Sequence, residues 1–325
     1  MSTAARHPRR PVVVIGGPTA SGKSGLALDL ARQFDGDIVN ADAMQVYREL
    51  AILTARPGPG DLAAAPHHLY GVLSVSERCS AGRWHEMAAA AIADIHKAER
   101  LPILVGGSGL YLRALMQGLA AVPPVPETIR AAVGARMTAL GPQAMHATLN
   151  ERDPETAARL APADRQRIRR ALEVLEATGR SLSDWQREAA SGEPEFDFLA
   201  FVVDPPRDAL HEACDARFRA MLDAGALDEA RAVTALDLPP DRPAVKALGL
   251  RELARHLAGE CDLETAIAEA RAVTRRYAKR QSTWFRNQLS QAERIPAGPG
   301  YAQYSERIFQ DICTNIRHFL LTRQT

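Results

Sequence analysis

The run Val12-Val-Val-Ile15 contains no polar residue and no alternation, the pattern of a strand buried on both faces of a parallel sheet. A Gly-rich turn follows. Residues 24–34 then carry Leu26, Leu28 and Leu30 in a helix-compatible segment, and Asp37-Ile-Val-Asn40 predicts the next short strand. Residues 83–100 are alanine-rich and stop short of Pro102, as a helix does. Leu101-Pro-Ile-Leu-Val105 is another buried strand, and it runs into a second Gly-rich turn, Gly106-Gly-Ser-Gly109. Strand, turn and helix alternate through this half, which predicts an α/β fold built on a parallel sheet.

The proline cluster Val122-Pro-Pro-Val-Pro126 breaks the rhythm. From there to about residue 192 the chain reads as helical, rich in Ala, Arg and Glu. Phe198-Leu-Ala-Phe-Val-Val203 restores a strand before Asp204-Pro-Pro206 ends it, and the remainder is helical, with breaks at 238–241 and 296–300. The expectation is a sheet domain, residues 1–121 and 197–325, interrupted by a helical insertion at 122–196.

Composition changes this picture little. At 325 residues, 46% hydrophobic and 24% charged, the chain is an ordinary globular one. A formal net charge of only +1 means that any nucleic-acid binding must come from a local basic surface. Cys79, Cys214, Cys261 and Cys313 show neither zinc-ligand spacing nor a disulfide framework. The apolar run after the arginines near the N-terminus is too short for a signal-peptide core. No stretch approaches the roughly 20 apolar residues of a membrane helix, so a cytoplasmic protein is expected.

Gly17-Pro-Thr-Ala-Ser-Gly-Lys-Ser24 fits G-x-x-x-x-G-K-[ST] between a strand and a helix, the context that confirms such a match. Chance would produce it in a chain this long with odds on the order of one in a hundred. Gly17, Pro18, Thr19, Ala20, Ser21 and Gly22 would form an anion nest at the positive end of a helix. Lys23 would add a point charge, and the Ser24 hydroxyl is suited to Mg²⁺. The motif therefore predicts a diphosphate or triphosphate ligand. Taken alone, it points first to a kinase or ATPase.

Further segments redirect that reading. Asn40-Ala-Asp-Ala-Met-Gln-Val-Tyr47, Thr54-Ala-Arg-Pro57, Pro66-His-His-Leu69, Val105-Gly-Gly-Ser-Gly-Leu-Tyr111, Arg169-Arg-Ala-Leu-Glu-Val174 with Thr178-Gly179, and Thr274-Arg-Arg-Tyr-Ala-Lys-Arg-Gln-Ser-Thr-Trp-Phe-Arg286 follow one another in a set order. Together they resemble the signature segments of tRNA dimethylallyltransferases of bacterial type. The resemblance implies a P-loop NTPase-like core. It also implies transfer of a dimethylallyl group from dimethylallyl diphosphate to N6 of the adenosine 3′ of the anticodon, in tRNAs reading codons that begin with U, with Mg²⁺ as cofactor. The partner it implies is the tRNA anticodon stem-loop, and the P-loop would grip the donor's diphosphate rather than ATP; a monomer is expected.

By the same resemblance Arg217 closes over the diphosphate, Thr19 meets its bridging oxygen and Asp42 is the general base. From the residues alone, Arg217 could equally be a solvated helix arginine and Thr19 a turn-shaping residue. Asp42 could be a helix N-cap or an outer partner of Mg²⁺. The implied tRNA contacts are Asp42, Ala43, Met44, Gln45 and Ser108, then Gln166, Arg167, Ile168, Arg169 and Arg170, then Arg275, Arg276, Lys279 and Arg280. Gln45 could instead satisfy backbone. Tyr277 and Trp284 would anchor the last basic helix, which has no acidic residue between Thr274 and Arg286. Ala43 departs from the family's usual Ser, Ser108 from its Thr, and Leu53 from a frequent Gly. The rival readings are an adenylate dimethylallyltransferase acting on free nucleotide and a small-metabolite kinase.

Overall fold

Val12, Val13, Val14 and Ile15 are fully buried because β1 (Arg10–Gly16) lies inside a parallel sheet covered on both faces. The computed structural model describes residues 9–189, 195–296 and 304–322. The chain divides into two compact units, residues 1–116 with 195–325, and residues 117–194.

In the first unit β1 is followed by α1 (Lys23–Phe34), β2 (Gly36–Asn40), α2 (Pro59–Ala64), β3 (His67–His68), α3 (Ala81–Lys97), β4 (Leu101–Gly106) and α4 (Gly109–Gln117). The second unit holds α5 (Glu127–Arg152), α6 (Pro154–Ala158), α7 (Arg165–Thr178) and α8 (Leu182–Ala189). The chain returns with β5 (Phe196–Val203), α9 (Arg207–Asp223), α10 (Ala226–Thr234), α11 (Leu250–Leu257), α12 (Leu263–Gln288), β6 (Glu293–Ile295) and α13 (Glu306–Leu321). The described strands run in the order β3-β2-β4-β1-β5-β6, all parallel.

Successive side chains of a strand point to opposite faces, and the two cores divide accordingly. Val12 and Val14 join Val39, Leu104 and Val202 against Trp84 and Ile92 of α3. Val13 and Ile15 join Ile38, Ile103 and Phe201 against Leu26 and Leu30 of α1 and Ile312 and Ile316 of α13. The described part of the second unit has no strand. Val133, Met137, Met145 and Leu149 of α5 pack on Ile168, Ala171 and Leu172 of α7. Gly141, with φ 78°, and Pro142 break α5 into two helical pieces.

Three differences from the sequence expectation have physical causes. Phe196 pairs with Arg10 and so begins β5 instead of ending the insertion. The short edge strands β3 and β6 have two and three residues, too few for any periodicity to register. The His67-His68 pair is β3 itself, and His68 meets the buried Asp37 carboxylate at 2.8 Å while Arg100 holds its other oxygen at 2.5 Å. Of the break expected at 296–300, only Pro296 is among the described residues.

The register places Gly16 beside Gly106 and Asn40 beside Val105, so the turns after β1, β2 and β4 leave the sheet at one carboxyl edge. A Cβ on Gly106 would lie 2.1 Å from the Ala41 carbonyl oxygen, and backbone cannot step aside as a side chain can. Gly106→Ala is therefore expected to lower stability by roughly 1–3 kcal/mol, toward the upper end. A urea-denaturation midpoint equal to wild type would show that this approach is not tight.

Candidate functional site

The Gly17 to Gly22 segment folds as an irregular turn before the first turn of α1. Gly22, the N-cap residue, has φ 88° and offers no side-chain cap, so the amides opening α1 have no side-chain acceptor at that position. Ala20 is left-handed at φ 61°, and its methyl packs with Leu210, Cys214 and Ala278. Lys23 reaches back to the Pro18 carbonyl at 3.2 Å. Burial pushes its ammonium down to about 8, opposed by the Asp42 carboxylate and reinforced by Arg217. Ser24 is exposed on the first turn, and the buried Ser21 hydroxyl has no protein partner.

Arg217 projects from α9 and donates to the Thr19 hydroxyl. The structure thus sets the arginine on the phosphate loop, and not on a solvated helix face. Gln281 of α12 accepts from the Thr19 amide at 2.8 Å.

Asp42 sits in a turn, so the helix-cap alternative holds only locally, with Oδ1 accepting from the Met44 amide at 2.9 Å. The fully buried Asn40 fixes its backbone, accepting from the Asp42 amide at 2.8 Å and donating to the Asp42 carbonyl at 3.0 Å. Ser108 accepts from the Ala43 amide at 2.9 Å, which ties the turn after β4 to the turn after β2. The Asp42 charge is felt by Lys23 and by the Tyr70, Tyr111 and Tyr277 phenols, all three raised first by burial. Thr19, Lys23, Asp42, Ser108 and Arg217 therefore share one edge of the sheet.

Other expected residues have different surroundings. The Gln45 carboxamide donates to the Thr54 and Ala55 carbonyls, both at 2.9 Å, so its donors serve backbone. One nitrogen of Arg275, Nη1, donates to both carboxylate oxygens of Asp215 at 2.6 and 2.7 Å, which removes this arginine from the free cations. Arg276, Lys279, Arg280 and Arg286 stay exposed on α12 and make no salt bridge to a described acid, Arg280 lying over the Tyr277 ring at 5.5 Å. In the second unit the Ile168 side chain is fully buried in the α5–α7 core and cannot touch a ligand. Gln166 and Arg167 are exposed, Arg167 pairing with Asp164 at 3.4 Å, while Arg169 pairs with Glu173 at 2.8 Å and Arg170 is half-buried.

Sequence reasoning missed Asn40, Gln281 and Glu229, whose carboxylate accepts from the Ala51, Ile52 and Leu53 amides at 2.8 Å each. Asn40 and Gln281 lie within the signature segments without a role assigned, and Gln281 also interrupts the small and apolar stripe Ala270, Thr274, Ala278, Phe285 of α12.

The family model described as IPP transferase matches residues 45–288, three quarters of the chain. The chain belongs to the IPP transferase family. Within it, a tRNA dimethylallyltransferase of Paramagnetospirillum magneticum is 53% identical over 312 residues, covering 96% of this chain and 98% of that one. Another, of Rhodospirillum centenum, is 56% identical over 290 residues, with 89% and 92% covered. Among solved structures, a tRNA isopentenylpyrophosphate transferase of Bacillus halodurans aligns at TM-score 0.68 and 31% identity over 97% of this chain and 98% of that chain. A eukaryotic dimethylallyltransferase acting on tRNA aligns at TM-score 0.83 and 27% identity, covering 97% of this chain and 80% of the other. No helix among the described residues is long and apolar enough to cross a membrane.

A bound anion favours charged Lys23, whereas the free protein loses that proton near pH 8. Affinity for a diphosphate monoester is thus expected to be highest below that pH and to fall above it, roughly tenfold between pH 7 and 9. Calorimetric titration at both pH values checks this, and equal affinities would refute it.

Proposed function

We propose that this chain transfers a dimethylallyl group from dimethylallyl diphosphate to the exocyclic N6 of the adenosine 3′ of the anticodon, in tRNAs reading codons that begin with U. The observation that carries this reading is the shared neighbourhood of Lys23, Asp42, Arg217 and Thr19 at one sheet edge. It sets anion-holding groups beside a carboxylate, as an alkyl transfer with a diphosphate leaving group requires.

As the allylic C–O bond breaks, negative charge grows on the bridging oxygen. The open first turn of α1, Lys23, Arg217 and the Thr19 hydroxyl face that charge. The amino nitrogen of adenine is a weak nucleophile, and Asp42 takes its proton as the new N–C bond forms. With Oδ1 engaged by the Met44 amide, Oδ2 is the oxygen that accepts it.

Among the described residues no three His, Cys, Asp or Glu side chains converge to hold a metal unaided. An exposed Ser24 hydroxyl beside an anion nest fits Mg²⁺, which keeps water and phosphate oxygens among its ligands. When bound, it would neutralise charge on the departing diphosphate. The acceptor would be held by tRNA phosphates on Arg276, Lys279 and Arg280 and, in the second unit, by Gln166, Arg167, Arg169 and Arg170. The target base must leave the loop stack to be modified. We read the protein as a cytoplasmic monomer.

Incubation with Mg²⁺, labelled dimethylallyl diphosphate and unmodified tRNA, with AMP, ADP and ATP in parallel, tests the reading. Label in an anticodon-loop adenosine supports it. Label in free nucleotide alone assigns the chain to the adenylate-modifying branch. ATP hydrolysis without transfer returns the loop to nucleotide binding.

Asparagine at position 42 keeps an oxygen for the Met44 amide but not the base. Asp42→Asn is expected to slow single-turnover transfer roughly 10²–10⁴-fold at unchanged tRNA affinity. Loss of binding with the rate intact would remove Asp42 from the chemistry. Arg280→Ala should weaken tRNA binding and reduce the slope of log affinity against log salt by about 0.7–0.9. A salt-independent loss would place Arg280 in folding instead.

A further inference from the structure

Gln281 is 6% exposed, at the centre of the α12 face that meets the carboxyl edge of the sheet. Its carboxamide makes two hydrogen bonds to two different turns. Oε1 accepts from the Thr19 amide of the phosphate loop at 2.8 Å, and Nε2 donates to the Gly107 carbonyl of the turn after β4 at 2.8 Å. The fit is close enough that a Cβ on Gly107 would lie 2.2 Å from Nε2. One residue earlier on the same helix, Arg280 is exposed with its guanidinium over Tyr277.

We infer that Gln281 is a positioning residue that couples the seat of the basic helix to the shape of the phosphate loop, an inference that rests on the transferase reading. The Thr19 amide is turned toward α12, away from the nest, and this fixes the residue whose hydroxyl meets Arg217. The same carboxamide holds Gly107, the neighbour of Ser108, which in turn holds the Ala43 amide beside Asp42. A neutral carboxamide suits the place because it can serve an N–H and a C=O at once. A carboxylate there could accept from Thr19 but would set its charge against the Gly107 carbonyl. A shift of α12 when its outer face engages phosphates therefore reaches both the leaving-group side and the base side of the site.

Two variants test this. Gln281→Met keeps length and packing volume but neither hydrogen bond. It is expected to keep the wild-type circular dichroism spectrum and tRNA affinity within about twofold. Affinity for inorganic diphosphate and the single-turnover rate should each fall roughly 10- to 100-fold. Gln281→Glu should behave alike near neutral pH and recover as the pH falls toward 5.5, because a protonated carboxyl can again donate to Gly107 and accept from Thr19. Wild type should show no such recovery.

Wild-type diphosphate affinity and rate in Gln281→Met would overturn the inference. So would equal losses of diphosphate and tRNA affinity in both variants with no recovery at low pH, which would mark Gln281 as packing alone. If Gln281→Met does not fold, the pH response of Gln281→Glu decides. Diphosphate affinity is read without transfer. A wild-type protein that transfers nothing fails the functional reading, while weakened diphosphate binding in Gln281→Met would leave the positioning role standing.

Discussion

The close seating of α12 on the carboxyl edge of the sheet is the constraint from which the rest of the site follows. Ala266, Ala270, Thr274 and Ala278 recur along its buried face, and such small side chains let a helix axis approach its neighbours. Where that face reaches the turns it presents Gln281 and then Phe285, both buried. The same helix reaches sideways through Arg275 to Asp215 on α9, two residues before Arg217. One element thus bears on the phosphate loop, on the turn after β4 and on the arginine over Thr19. Its outward cations remain free for a polyanion.

A second level of support consists of polar side chains that satisfy backbone. Ser108, Gln45, Arg56 and Glu229 make hydrogen bonds to main-chain atoms of residues 41–55, and Asn40 does so while also donating to the Leu69 carbonyl. Irregular backbone at a sheet edge has amides and carbonyls that no ladder can pair, and each left bare costs about 1–3 kcal/mol. Once these residues meet that need, Lys23 and the second oxygen of Asp42 are left to act on something that enters.

The centre of the sheet was legible because Val12 to Ile15 and Leu101 to Val105 are short apolar runs bounded by Gly-rich turns, whereas β2 is buried throughout and still carries Asp37 and Asn40. The turn from Gly17 to Ser24 was legible because its motif fixes residue type and spacing together between a strand and a helix. Partners were not legible. Arg275 looks like Arg276 in the sequence, and only folding brings Asp215, 60 residues earlier, against one of them. Ile168 lies among arginines, yet the helix turns it inward into the core that holds Met145 and Leu172, while Gln166 and Arg167 stay exposed. Glu229 lies 178 positions from the amide of Ala51 that it receives, and no local pattern records such a pairing.

Ala20 carries one more consequence. Its left-handed backbone is an unfavourable state for a residue with a side chain, and it persists because the methyl group is wedged among Leu210, Cys214 and Ala278. The loop's curvature is therefore held by apolar contact as well as by its hydrogen bonds, so the turn that gathers the charged groups of the site is anchored by uncharged atoms of α9 and α12.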